Sequence, residues 1–287
     1  MRALTILGAL AAVGIVAACA SKLTHEEHTA KAGGYITAKS ERAARGAPAV
    51  AVDRNGQIFV LDAINARIAR VAGDDLVDVA EVPPDSDDLA IGPDGAFAVH
   101  RSVKPEVLVL DPEGHKVGVV DTSAIPDVDG IALGRSRRVL VTSSFQETFS
   151  LGSPAMPQLP SAVLDGKREN DILAVRTDGG ELELRSTILD GGRVRLGKGD
   201  AARVVGSSGN LTCARIEHVI EKEGIAELRI RREAACVDMR TGRVALRVDL
   251  PPPGAFVPRR ELAFAANTLV FAQPTERGIE IQKWRVE

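Results

Sequence analysis

Aromatic side chains are scarce: 287 residues include one Trp, one Tyr and seven Phe. Surfaces that hold sugars or single-stranded nucleic acid rest on aromatic stacking platforms, so both ligand classes are disfavoured. Strong charge of one sign is also missing. Thirty-six Lys and Arg meet 39 Asp and Glu, a net charge of −3, so no field draws in nucleic acid. No apolar run reaches the ~20 residues of a membrane-spanning helix. Histidines number only 5, and His25-Glu-Glu-His28 is not the HExxH spacing of a zinc helix. Gly192 to Gly199 lacks the Ser or Thr and the following helix of a phosphate loop. Gly206 to Gly209 is one residue short of a nucleophile elbow. No catalytic set is evident.

The N-terminus carries an address. Met1-Arg2 is a short basic start, Ala3 to Val16 is uncharged and apolar, and small residues follow. That is the order and length of a signal peptide, not of a domain element. It ends in Val16-Ala17-Ala18-Cys19, which resembles the lipobox of bacterial lipoproteins. The resemblance implies loss of residues 1–18, acylation of Cys19 and anchoring in the bacterial cell envelope. Two or more acyl chains hold stably where one does not. Ala20 in place of Asp points, by the same resemblance, to the outer membrane facing the periplasm. Residues 19–46 are polar and small and read as a tether.

Only Cys213 and Cys236 remain. In an oxidising compartment two cysteines suggest one disulfide. They lie in strand-like stretches that a turn near Glu223-Gly224 would fold into a hairpin, with Cys213 almost opposite residue 234. A disulfide is the expectation; two buried free thiols are the alternative.

The rest of the chain repeats. Val50 to Val60 (VAVDRNGQIFV) aligns without a gap on Leu89 to Val99 (LAIGPDGAFAV), and Ile131 to Val141 and Leu173 to Glu183 follow the pattern. Weaker copies start at Arg203 and Leu262. Each copy is an apolar strand, a tight turn and a second apolar strand. The turns fall at Gly56, Gly95, Arg137, Gly179, Gly209 and Thr268, about 42 residues apart on average, the length of a four-stranded propeller blade. The expected fold is therefore all-β, a six-bladed β-propeller over 47–287. Its fourth blade is trimmed and its fifth carries a long hairpin around 220–230. The last blade lacks a strand, which an N-terminal strand at Tyr35 to Lys39 could supply to remove the open edges.

Ala51 to Ile68 and Asp87 to Gly95 resemble NHL-type repeats of six-bladed propellers. That resemblance implies the fold and not the activity. In propellers the residues just before each innermost strand border a central funnel. Here these are Pro48-Ala49, Asp87-Asp88, Asp129-Gly130, Asp171-Ile172, Ala201-Ala202 and Arg260-Glu261. Carboxylates converging on one axis could hold Ca²⁺, as the funnel acids of propeller lactonases do, so Asp88, Asp129, Asp171 and Glu261 form a candidate metal site. The competing expectation is that they cap strands and face water, with no cofactor at all. Leu151 to Pro160 reads as a long proline-rich loop whose Met156 and Leu159 could bind a partner. Two functions follow: a lipid-anchored scaffold for an envelope protein partner, or a Ca²⁺-dependent lactonase-type hydrolase.

Overall fold

The computed structural model describes residues 24–30, 33–35, 45–144, 147–162, 172–177, 179–186, 192–220 and 229–286. Cys19 and Asp171 lie outside these residues. Among the described residues twenty-three strands fall into six antiparallel sheets, five built from consecutive strands and the sixth combining the first strand with the last three. The first sheet holds Ala49–Val52, Ile58–Asp62, Arg67–Ala72 and Asp75–Glu81. The second runs from Ser86–Ile91 to Lys116–Asp121 and the third from Val128–Leu133 to Met156–Ala162. The fourth, between Ile172–Arg176 and Arg193–Lys198, has three strands among the described residues. The fifth runs from Ala201–Ser208 to Val244–Asp249, and the sixth holds Leu262–Ala265, Thr268–Thr275 and Gly278–Arg285.

The alternation of side chains explains why the sheets stand face to face. In the first sheet Val50, Val52, Ile58 and Val60 pack against Ala263, Val270, Ile279 and Ile281 of the sixth. The intervening Ala49, Ala51, Phe59 and Leu61 point the other way, against Leu89, Phe97 and Val99 of the second. Successive side chains leave a strand on opposite faces, so each sheet feeds two cores. Equivalent cores join second to third, fourth to fifth and fifth to sixth sheets. Phe59 meets Phe97 edge-on, ring centres 5.2 Å apart, a contact that contributes about 0.5–1.5 kcal/mol beyond its buried area. Burial fades outward: Ala49–Val52 and Ile58–Asp62 are buried throughout, Asp75–Glu81 only at Leu76 and Ala80. Four-stranded sheets of this order, stacked face to face with their first strands innermost, make a β-propeller.

The turns within the repeats follow backbone chemistry. Gly56 and Gly95 adopt φ of 77° and 85°, which costs glycine nothing. In the sixth sheet Ala266 and Asn267, at φ 48° and 55°, form the two-residue turn between Ala265 and Thr268. Both central residues are left-handed there, the geometry that matches the twist of a hairpin.

Two elements differ from expectation. The strand that completes the sixth sheet is Thr24–Ala30, paired over seven residues with Ile279 to Arg285. Tyr35 lies in no strand, and 36–39 lie outside the described residues. His25 stacks on Trp284 at 5.1 Å, Lys283 pairs with Glu26 at 3.1 Å, and Ala30 is fully buried. The segment expected to be a tether is thus docked from Thr24, and Gly34 continues the docking by donating its N–H to Asp62 at 3.1 Å. The second difference is Leu151 to Pro160, which is a hairpin and not a loop. Ser153 pairs with Met156 across Pro154-Ala155. Pro157 and Pro160 fit because Met156–Ala162 is the outermost strand, where a missing N–H breaks no ladder.

The cysteine expectation holds. Cys213 and Cys236 face each other in the fifth sheet with Cα atoms 4.0 Å apart and form a disulfide. The flanking strands pair over ten residues, Leu211 to Ile220 with Arg229 to Asp238.

Candidate functional site: an arginine-lined funnel

The residues before the inner strands of the third, fifth and sixth sheets come together around a cavity of about 350 Å³, while Pro48-Ala49 and Asp87-Asp88 do not line it. Asp129 and Gly130, Ala202, and Arg260 and Glu261 all line it, as the repeat register anticipates. The register names Arg260 but not Arg203, Arg215 and Arg259, which join it on the wall.

Each described acid of the expected metal site is met by an arginine from another sheet. Asp88, 1% exposed, accepts Arg260 Nε at 2.8 Å and Nη2 at 2.9 Å. Its oxygens also accept the N–H groups of Leu89 at 2.9 Å and Ile131 at 3.0 Å. An ionised carboxylate has about four acceptor positions, and all are taken. Asp129, in the third sheet, pairs with Arg203 of the fifth at 3.0 Å. Glu261, 3% exposed, receives Arg232 Nη1 at 2.6 Å on both oxygens and Arg215 Nη1 at 3.3 Å.

These pairs are also the seam of the ring. Arg260 precedes the sixth sheet's inner strand, yet it reaches Asp88 in the second sheet and donates to the Ile131 carbonyl in the third at 2.8 Å. It can pass because the first sheet offers only Pro48 and Ala49 at this level. Its backbone is fixed by hydrogen bonds from Val50 N–H to Arg260 O at 2.9 Å and from Arg260 N–H to Pro48 O at 3.1 Å. Beside it, Arg259 donates to Asp87 at 2.7 Å, and Asp87 bonds His100 Nδ1 at 2.6 Å. Burial raises the Asp87 pKa, but the His100 hydrogen bond and the Arg259 charge outweigh it and hold the carboxyl below its ordinary 3.8. Burial pulls the Arg203 pKa down; Asp129 opposes this, while Arg260 and Arg215 repel the charge further.

Asp88, Asp129 and Glu261, the described acids of the expected Ca²⁺ site, are thus each paired with arginine. Their oxygens face guanidinium groups and, at Asp88, backbone N–H groups as well. Among the described residues no group of three or more His, Cys, Asp or Glu is placed to hold a metal ion. Asp171 lies outside the described residues. His25 lies on the outer strand of the sixth sheet. His100, 3% exposed, serves Asp87. Met156 and Leu159 stand at the far end of the third sheet, 70% and 89% exposed.

No protein-family model matches the chain, and no curated protein matches it. Among solved structures it is similar to a protein of unknown function from Bacteroides caccae, with 14% identity, TM-score 0.44, and coverage of 71% of this chain and 82% of that one. A streptogramin B lyase is similar at 10% identity and TM-score 0.46, over 92% and 98% of the two chains. A virginiamycin B lyase from Staphylococcus aureus is similar at 9% identity and TM-score 0.39, over 93% and 100%. Likeness at this level says nothing about activity. The propeller architecture rests on the sheet order, the registers and the inter-sheet cores.

Proposed function

We propose that the chain is a lipid-anchored, six-bladed propeller of the bacterial cell envelope that serves as a protein-binding scaffold. The observation that carries this reading is the outer strand Met156–Ala162, where Met156 and Leu159 are 70% and 89% exposed. Large apolar side chains left in water together mark interaction surfaces. Pro157 and Pro160 withhold N–H groups from this edge, which blocks strand addition, so the surface offers side chains to a partner rather than a backbone ladder.

The position of the anchor supports the same reading. Only residues 20–23 separate Cys19 from the docked strand Thr24–Ala30. Fully extended they span roughly 14 Å, which holds the outer edge of the sixth sheet close to the lipid. In a ring of six blades the third sheet lies opposite the sixth. Met156 and Leu159 then face away from the membrane, towards whatever the envelope presents. The committed state of the funnel carboxylates favours this over the hydrolase.

The test is a photo-crosslinking amino acid at position 159 in intact cells, with Val244, 40% exposed on the fifth sheet, as the control position. The expected result is one discrete adduct from position 159, none from 244, and loss of that adduct in Met156→Lys. Absence of an adduct, or the same ladder from both positions, would contradict the scaffold. For the anchor, Cys19→Ser should move the protein from the membrane to the soluble fraction; an unchanged membrane fraction would contradict it.

A further inference from the structure

We infer that the pocket between the turns of the fifth and sixth sheets binds the phosphoethanolamine headgroup of a membrane lipid. Arg243 and the Asn210 and Asn267 carboxamides take the phosphate, and Asp238 takes the ammonium. The lipid source rests on the anchor at Cys19; the chemistry of the pocket does not.

Three observations carry it. The first is opposite charge on one wall without mutual pairing. Asp238 and Arg243 both line a pocket of about 290 Å³, at the neck of one hairpin where Asp238 N–H donates to Arg243 O at 2.9 Å. Their side chains form no ion pair with each other, and among the described residues the Arg243 guanidinium has no partner. Asp238 accepts the N–H groups of Arg240 at 2.8 Å and Thr241 at 3.0 Å. A carboxylate has about four acceptor positions, so it can accept further donors. The Thr241 N–H, with the Arg240 N–H and charge beside it, holds the carboxyl below its ordinary 3.8 against some desolvation. The wall carries one charge of each sign, and the complementary ligand is a zwitterion.

The second observation sets the anion. The Asn210 and Asn267 carboxamides line the same pocket, and neither has a hydrogen-bond partner among the described residues. Both residues sit in two-residue turns, one between Ser208 and Leu211 and one between Ala265 and Thr268. Asn267 N–H donates to Ser208 Oγ at 3.3 Å, which ties the two turns into one surface. A guanidinium and two amides offer donors from three residues. An anion with more than two acceptor oxygens uses them more fully than a carboxylate does, and arginine is well suited to phosphate. Leu211 and Ala245 supply the apolar lining for the carbon link of the headgroup.

The third observation is place. Thr24 pairs with Arg285, and Arg285 pairs with Thr268. Adjacent strands lie about 4.8 Å apart, so Thr24 stands about 10 Å from Thr268, the neighbour of Asn267. The segment that follows Cys19 therefore enters the sixth sheet at the same end as the pocket, where an anchored chain meets lipid headgroups first.

The test has two arms. In neutral detergent the full-length protein is titrated calorimetrically with O-phosphoethanolamine, with ethanolamine, inorganic phosphate and phosphocholine as comparators at matched ionic strength. O-phosphoethanolamine should bind saturably, one to one. Each comparator lacks the phosphate, the ammonium or the ammonium N–H groups, and should bind roughly fivefold more weakly or worse. Arg243→Gln should weaken binding by a similar factor. So should Asn267→Gly, which removes the carboxamide and keeps the left-handed turn. Neither side chain has a partner in the fold, so both variants should melt close to wild type. In the second arm the protein is placed in nanodiscs of equal phosphatidylethanolamine and phosphatidylcholine. Native mass spectrometry should show phosphatidylethanolamine enriched on the released protein, and Arg243→Gln should abolish the enrichment. Lack of saturation, equal binding of phosphate, or undiminished binding in both variants would overturn the site. Binding of O-phosphoethanolamine without enrichment of the lipid would overturn the lipid and leave a free phosphate ester as the ligand. Neither result bears on the anchor, which the Cys19→Ser fractionation tests alone.

Discussion

At the funnel, Asp88 and Glu261 are 1% and 3% exposed, and each carboxylate is met by arginine at 2.9 Å or less. At the outer rim of the third sheet, Met156 and Leu159 are 70% and 89% exposed, with prolines between and beside them. Charge lies inside and hydrocarbon lies in water. Burying charge is expensive unless it is paired and hydrogen-bonded, and exposed apolar side chains add nothing to folding. The inner departure is compensated within the chain, since every described funnel acid has its arginine. The outer one has no compensation in the fold, and the proposed partner is what would cover it.

The comparison is broken most strongly from inside. Arg232→Ala leaves Glu261 buried without its bidentate partner, and removal of one member of a buried pair costs about 3–5 kcal/mol. A fall of that size in urea-unfolding free energy is the expected outcome. A loss under about 1 kcal/mol would mean that Glu261 finds water or a proton instead.

Next in size is the staple of the fifth sheet. Cys213 and Cys236 close a loop with a sequence separation of 23, for which chain entropy gives about 3 kcal/mol. The Cys213→Ala, Cys236→Ala double variant should lose roughly that amount under oxidising conditions. Reduced wild type should lose a similar amount, while adding reductant to the variant should change nothing.

A smaller effect sharpens the account of Asp87. Its carboxyl is held below 3.8 when folded. A depressed carboxylate contributes stability that is complete above its unfolded pKa and is lost as pH falls through the folded value. Wild type should therefore be more stable than Asp87→Asn at pH 7, and the gap should close below about pH 4, near the ordinary carboxylate range. A gap independent of pH would assign the effect to shape rather than charge.

The smallest effect belongs to the rim. Met156→Lys with Leu159→Lys should shift folding free energy by no more than about 0.5 kcal/mol, since both side chains stand in water. Thermal melts check this. A large loss would mean that the hairpin packs on something within the fold and is not a free surface.

Much of the architecture was legible because a propeller repeats. The alternation in Val50 to Val60 and in Leu89 to Val99 carries two faces and a turn, and stacking such units leaves few alternatives. Some of the funnel positions followed from the register: Asp129, Gly130, Ala202, Arg260 and Glu261 border the cavity, and Asp88 does not. Of the arginines only Arg260 was legible, as a rim position, and its partner was not. Arg260 lies 172 residues from Asp88 in sequence, and nothing local in Arg259-Arg260 reports a partner across the ring. Thr24–Ala30 escaped because an edge strand that is polar on its outer face shows no apolar alternation. The hairpin at Leu151 to Pro160 escaped because its prolines signal a loop anywhere except at a sheet edge.

The central claim is that arginines from one sheet neutralise funnel acids of another and so hold the ring while setting its charge. A double-mutant cycle on Asp88 and Arg260, using Asp88→Asn and Arg260→Gln singly and together in urea unfolding, tests it most directly. The account predicts a coupling energy above about 1.5 kcal/mol, within the 0.5–3 kcal/mol that residues of one network show. Additive losses, with a coupling near zero, would contradict it.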